Sequence, residues 1–483
     1  MYLYQMRRAL SRCNPRKALD FLSLRRKSIA MFGISLTIIF WYSAHNALVS
    51  RHLWFWWDEL TILESQEAGL AGIFHGHFGN FFPLFRLLFI GEVELFKNSY
   101  WLYILVNSFL VLLLAIALGF LSFRLGSRSI SISNQFLIAT LVSVLFLFSE
   151  GTLYTVQWAM MQKWHIAVLL VVGGAFLGGR STRPFAVLMT SIVFSSLFMS
   201  SAALSLSLVG LSVLTIVTSG IIWSKNSFLK AFSLVVGSGG LSLSGYLIAN
   251  QNLPADLSVI LPQRPKVSIQ LLINGIAEVS LGTLLWIYKP FISFTSSLEE
   301  SKWLLLGVIK SRSFDLWLPI VLLLLPALLL ILVLRKSPVH GISALLSGSA
   351  VLLIQLQIVG RGQGTWLQTN LESRYDPLLL FAVITFWMAL FLGLVSILKT
   401  NRSHWKHLHF FFGGVLSVMV SSVLLIGVMR VDNASDEARR NEQSLIIQKL
   451  RDCPATFDFS KFYSVQERYQ DKLCQIWMRI SGG

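Results

Sequence analysis

Two adjacent carboxylates, Asp58 and Glu59, follow directly on the run Trp54-Phe55-Trp56-Trp57. Tryptophan concentrates at membrane–water interfaces, where its ring is apolar and its N–H stays wet. Carboxylates held at that level can act on a lipid-linked substrate without being buried in hydrocarbon. One of them can serve as general base toward an acceptor hydroxyl or amine. Asp58 and Glu59 can also help ligate a divalent cation such as Mg or Mn through oxygen. A structural reading stands beside these: Asp58 can accept from the free backbone N–H groups at a helix N-terminus.

Three further groups have side chains suited to chemistry. His75 and His77 sit in Gly72-Ile73-Phe74-His75-Gly76-His77-Phe78-Gly79-Asn80. At i and i+2 they can meet on a loop but not on one helix face. No third ligand has a zinc-type spacing, so hydrogen bonding to a phosphate or sugar fits them better than metal. Plain interfacial histidines are the alternative. Glu150, Tyr154, Gln157, Trp158, Gln162, Lys163 and His165 combine aromatic faces with amides and charges. That mixture suits a sugar ring, and equally an interfacial aromatic belt. Arg361, Arg374 and Tyr375 lie in the run from Gly360 to Pro377. An arginine at a helix entrance can hold a lipid phosphate as a charged fork. Its alternative is a surface pair with Glu372 or Asp376, worth little.

The elements that position these groups are set by composition. Aliphatic and aromatic residues form 54% of the chain and charged residues 13%. A soluble chain of this length needs more polar surface, so the reading is an all-α polytopic membrane protein. With roughly 20 apolar residues per crossing, about 11 spans are expected: 29–49, 100–123, 134–149, 164–179, 184–199, 202–222, 228–249, 315–334, 340–359, 377–398 and 409–429. The uncharged stretch 184–222 is too long for one crossing and divides near Ser200-Ser201. The segment 83–97, with Glu92 and Glu94, is expected to lie along the membrane rather than cross it. Whether 269–310 crosses stays open.

The net charge of +17 does not indicate nucleic acid. The basic residues cluster in short loops between apolar segments, which is the positive-inside pattern and an affinity for anionic lipid headgroups. Arg124/Arg128, Arg180/Arg183, Lys225/Lys230, Arg335/Lys336 and Lys399/Arg402/Lys406 all fall on one side when the basic arm 1–28 is cytoplasmic. The loops 50–99, 150–163, 250–314 and 360–376 then fall outside, with the small tail 430–483. The domain division is thus an arm at 1–28, a membrane domain at 29–429 and an external tail. In the first external loop Leu60, Leu63, Leu70 and Phe74 are spaced for one face of an amphipathic helix. Cys453 and Cys474 share the tail, where an oxidising compartment permits a disulfide. Cys13 lies on the arm. The spans carry almost no ionisable residues, unlike ion-coupled transporters, which points to chemistry at the external surface.

Taken together, the layout resembles the GT-C superfamily of polytopic glycosyltransferases, which includes protein O-mannosyltransferases and lipid A aminoarabinose transferases. The residues carrying the resemblance are Asp58-Glu59 after one helix, His75-Gly76-His77 followed by Phe82-Pro83-Leu84-Phe85-Arg86, Glu150 in the next external loop, and Arg374-Tyr375 before a late helix. The chain departs from the pattern in having no D-x-D in the first loop and only a small tail. The resemblance implies an inverting transfer of sugar from a polyprenyl-phosphate-linked donor to an envelope lipid, glycan or protein acceptor. Asp58 would be the general base, Glu59 and Glu150 would position the acceptor or a cation, and Arg361 and Arg374 would hold the lipid phosphate. It also implies a multi-pass protein of a bacterial inner membrane, N-terminus cytoplasmic and C-terminus external. Two rival functions remain: a non-catalytic envelope-lipid or glycan transporter or flippase, and a scaffold in a glycan-synthesis complex.

Overall fold

The computed structural model describes residues 58–65, 70–74, 80–97, 99–126, 130, 132–220, 223, 225–251, 317–360, 376–398, 434–451 and 473–481, together with Phe55 and isolated positions between Thr37 and Leu48. The expected crossings 29–49 and 409–429 and the open region 269–310 therefore fall wholly or largely outside the described residues. Every described element is helical, and no strand occurs among the described residues. The segment before the bundle holds α1 (Asp58–Ser65), α2 (Leu70–Ile73) and α3 (Pro83–Phe96). The bundle follows as α4 (Tyr100–Gly126), α5 (Ile132–Leu147), α6 (Glu150–Val156), α7 (Gln162–Gly178), α8 (Pro184–Ser196), α9 (Ala203–Val217) and α10 (Lys225–Gln251). It continues with α11 (Trp317–Lys336), α12 (Pro338–Gly360) and α13 (Asp376–Leu398), and the tail supplies α14 (Ala434–Arg451) and α15 (Leu473–Ser481).

Among the described residues, six stretches are helical, long and apolar enough to cross a membrane: Tyr100–Gly126, Ala159–Gly178, Ser200–Val217, Asn226–Ala249, Pro338–Gln357 and Pro377–Leu398. The chain is a multi-pass all-α protein by this measure. The remaining expected crossings between 100 and 398 fall on α5, α8 and α11. Helix α3 has 14 residues. At ~1.5 Å per residue it is roughly 21 Å long, too short for a ~30 Å hydrocarbon layer.

Local chemistry explains where these helices begin and end. Pro184 opens α8 and Pro83 opens α3, where a missing N–H costs nothing. The 184–222 stretch breaks at a 3-10 turn, Ser200–Ala202. The backbone around it is met by Phe81 and Leu84, at the start of α3. Leu84 N–H donates to Leu197 O at 3.2 Å, Ser200 N–H to Phe81 O at 3.3 Å, and Phe81 N–H to Ser200 Oγ at 3.0 Å. The non-helical backbone at this break is thus satisfied by protein. Helix α9 stops at Val217, five residues short of the expected 222. There Ser219 turns left-handed at φ 54°, while Ser219 N–H donates to Ile216 O and Gly220 N–H to Thr215 O. This is a Schellman closure, which the apolar pattern does not reveal.

Helices α9 and α13 are the central posts. In each, 83% of the most apolar stretch is buried, against 22% in α10, which lies at the periphery. Small residues permit close approach, as membrane helix pairs require. A Cβ on Gly174 of α7 would lie 2.0 Å from Ser191 Oγ of α8, and one on Gly210 of α9 would lie 2.7 Å from Leu188 and Val171 side-chain atoms. Ser212 Oγ of α9 bonds Ser343 Oγ at 2.7 Å and accepts from Ser347 Oγ at 2.8 Å, tying α9 to α12.

The two ends of the bundle differ in charge. Arg124, Arg180, Arg183, Lys225, Arg335 and Lys336 gather at one end, where Arg124 also caps α9 by donating to Val217 O at 3.1 Å. The opposite end carries α1 to α3 and the turn Ala159–Met161. In the tail, α14 and α15 pack through Ile446, Leu450, Ile476 and Ile480, all buried. Cys474 is disulfide-bonded. Its partner, like Cys453 and Cys13, lies outside the described residues.

Candidate functional site

Glu59 organises the less basic end. It is fully buried. Tyr100 Oη donates to Glu59 Oε1 and Oε2 at 3.0 and 3.1 Å, and Met160 N–H donates to Oε1 at 3.0 Å. Tyr100 Oη in turn accepts from Ala159 N–H at 3.2 Å. One carboxylate therefore joins the helix opened by Asp58 to the head of α4 and to the turn between α6 and α7. Hydrogen bonds to charged groups are the stronger kind, and these three are shielded from water.

Around this tether stands an aromatic cluster. Phe55 meets Tyr103, Tyr100 and Phe89 edge-on, with centroids 5.3, 5.4 and 6.0 Å apart. Phe55 is buried, so this ring of the Trp54–Trp57 run packs into protein rather than resting at an open interface. Leu60, Ile62 and Leu63 are buried beneath α1. The amphipathic helix expected over Leu60–Phe74 is described at Asp58–Ser65 and Leu70–Ile73. Phe74 is 52% exposed and stacks on Phe81, so it does not share the buried face.

Two cations line the same end. Arg86 Cζ lies 5.3 Å, and Lys163 Nζ 4.5 Å, from the centroid of the Phe82 ring, within cation–π reach. Arg86 Nη1 also donates to Gly72 O, which anchors α3 to the end of α2. Burial lowers Arg86 to about 10, leaving it cationic at neutral pH.

A polar column runs inward from here between α4 and α7. Gln162 Nε2 donates to Tyr103 O at 3.2 Å, and the Gln162 side chain stands near Glu92 of α3. Burial pushes the Glu92 carboxyl up to about 7, with Gln162 opposing the rise. One turn deeper, Asn107 Nδ2 donates to the carbonyls of Thr155, Val156 and Trp158 at 2.8, 3.1 and 3.0 Å. These are the carbonyls freed where α6 ends before α7 begins. Asn107 Oδ1 pairs with His165 Nδ1.

Of the residues selected from sequence, Glu59, Gln157, Trp158, Gln162, Lys163 and His165 come together at this end, all buried. Asp58 opens α1 and Glu150 opens α6; their side chains lie outside the description. His75, His77, Arg361, Arg374 and Tyr375 lie outside the described residues. Sequence reading missed Arg86, Glu92, Tyr100, Tyr103 and Asn107 as site residues. A signal existed for two of them. Phe82, Phe85, Arg86, Phe89, Glu92 and Val93 share the buried face of α3, so a cation and a carboxyl stand on an apolar stripe at helical spacing.

Among the described residues, no group of three or more His, Cys, Asp or Glu side chains is placed to hold a metal ion. Both Glu59 oxygens already accept from protein donors. The Asp58 side chain lies outside the description, and no step is derived through a cation.

No protein-family model matches the chain, and neither a curated protein nor a solved structure shows significant similarity to it.

Proposed function

We propose that the chain is a polytopic inverting glycosyltransferase of GT-C type with about 11 crossings. It takes a sugar from a polyprenyl-phosphate-linked donor and passes it to an envelope lipid, glycan or protein acceptor. The basic end faces the cytoplasm and its anionic lipids, in a membrane of the bacterial inner type, so the Glu59 end is external. The observation that carries this reading is the Glu59 tether. It fixes the start of α1, where Asp58 stands, against the turn that leads into Gln162, Lys163 and His165.

In this reading Asp58 removes the proton from the acceptor hydroxyl or amine. The acceptor atom attacks the anomeric carbon from the face opposite the phosphate. The bond from that carbon to the phosphate oxygen breaks, its electron pair leaving on the lipid phosphate. Arg361 and Arg374 would meet that charge, and Arg86 and Lys163 supply positive potential at the same end. Glu59, buried and engaged by three protein donor contacts, is a positioning residue.

The test is sugar transfer by the purified full chain in lipid nanodiscs, across a panel of polyprenyl-phosphate hexoses and envelope acceptors. Asp58→Asn should lower transfer by roughly 10²–10⁴-fold, the usual effect of losing a general base, with folding intact. Full activity in Asp58→Asn removes Asp58 from that role. No transfer by the parent across the panel counts against the enzyme and favours a lipid transporter.

A further inference from the structure

The polar column between α4 and α7 has a second property. Asn107 spends its Nδ2 group on three loop carbonyls, so its Oδ1 faces His165 Nδ1 as an acceptor. The imidazole must then carry its proton on Nδ1. A neutral ring in that tautomer leaves Nε2 as a bare lone pair. Gln162 is oriented in the same way. Its Nε2 donates to Tyr103 O, which leaves Oε1 as an acceptor. His165 and Gln162 are both fully buried. No protein group meets His165 Nε2, Gln162 Oε1 or Glu92 Oε2 among the described residues. Three residues apart on α7, the first two lie on one helix face, and Glu92 stands near Gln162.

His165 Nε2 and Gln162 Oε1 are both acceptors, with no unused donor between them. A buried acceptor left unmet is costly, and a second acceptor cannot relieve it. The complementary chemistry is an O–H group. Water supplies two such donors, and a sugar ring supplies several in a fixed pattern. Gln157, Trp158 and Lys163, which keep 5–8% exposure, flank the fully enclosed pair. The subsite therefore lies just behind the side chains nearest the external surface.

We propose that His165 Nε2 and Gln162 Oε1 form a hydroxyl-accepting subsite, holding water in the resting protein and a hydroxyl of the transferred sugar during transfer. Only the second occupant rests on the glycosyltransferase reading. Asn107 is its positioning residue, because it sets the tautomer.

Two measurements on the full chain in lipid nanodiscs, prepared without glycoside detergent, test it. The first is a high-resolution cryo-microscopy map. It should show an ordered oxygen within about 3.2 Å of both Nε2 and Oε1. A dry interface, or a turned Gln162 met by a protein donor, overturns the subsite. The second is thermal stabilisation by undecaprenyl-phosphate glucose against undecaprenyl phosphate. The sugar-bearing lipid should give the larger shift. The excess should vanish in Gln162→Leu and His165→Phe and survive in Gln162→Glu, which keeps the acceptor and guards against a variant that fails to fold. An excess that persists in Gln162→Leu overturns the sugar as occupant. An ordered oxygen with no response to either lipid leaves a water site and sinks the proposed donor.

Discussion

Removing the Glu59 carboxylate should release α1 from the bundle. In Glu59→Ala, Met160 N–H and Tyr100 O–H lose their acceptor where no water reaches, since Glu59 is fully buried. Each stranded donor costs about 1–3 kcal/mol, so the pair costs about 2–6 kcal/mol. The one lost methylene adds roughly 0.8 kcal/mol. A domain has only about 5–15 kcal/mol in hand. The cheaper response is local: α1 undocks while the bundle persists, which caps the loss at the free energy of undocking.

Hydrogen exchange is the direct assay. The Met160 amide, protected by Glu59 in the parent, should exchange faster in Glu59→Ala, and protease should cut nearer Asp58. Amides in α9 should keep their protection. Glu59→Gln retains one acceptor oxygen and should cost about 1–2 kcal/mol, the worth of a lost charge-assisted component. Tyr100→Phe removes the donor shared by both oxygens and the acceptor used by Ala159 N–H. The double variant should be less destabilised than the sum of the singles, by about 0.5–3 kcal/mol. Unchanged Met160 exchange in Glu59→Ala, or strict additivity with Tyr100→Phe, would refute the tether.

Glu92 should make stability fall with rising pH. Its carboxyl is pushed from 4.5 to about 7 by burial, so between these values the folded chain binds more protons than the unfolded one. That contribution is intact below pH ~4.5 and lost as pH rises through ~7, by about 3 kcal/mol; thermal unfolding at pH 5 and 8 should show the slope in the parent, and a slope unchanged in Glu92→Gln would exclude Glu92 as its source. In the tail, mass spectrometry of the non-reduced protein should recover a Cys453–Cys474 linked peptide. Alkylatable thiols at both positions would contradict the bonded Cys474 and the external tail. For orientation, a cysteine at Gln363 should react with a membrane-impermeant thiol reagent from outside, and one at Lys336 should not. The reverse pattern would move every proposed site residue to the cytoplasmic side.

The parts of this molecule legible in the sequence were those governed by one-dimensional rules. Apolar length located the helices from α4 to α13 other than α6, because hydrocarbon thickness sets a nearly fixed count of residues per crossing. Charge in short loops separated the basic end from the other. Helix ends were less legible. The Schellman closure at Ser219 depends on a backbone conformation that serine rarely adopts, and the break at Ser200–Ala202 depends on a partner strand of chain more than a hundred residues earlier. The site shows the same division. Types and spacing singled out Glu59, Gln162 and His165, yet their roles follow from neighbours remote in sequence: Tyr100 for Glu59, Tyr103 for Gln162 and Asn107 for His165. A lone asparagine in an apolar span gives no hint of which carbonyls it will cap. Its meaning appears only when α6 ends early and presents three freed oxygens to it, and those bonds then decide which nitrogen of His165 keeps a lone pair. The chemistry of this end is thus fixed by the place where a helix fails to continue, a property of packing that no periodicity records.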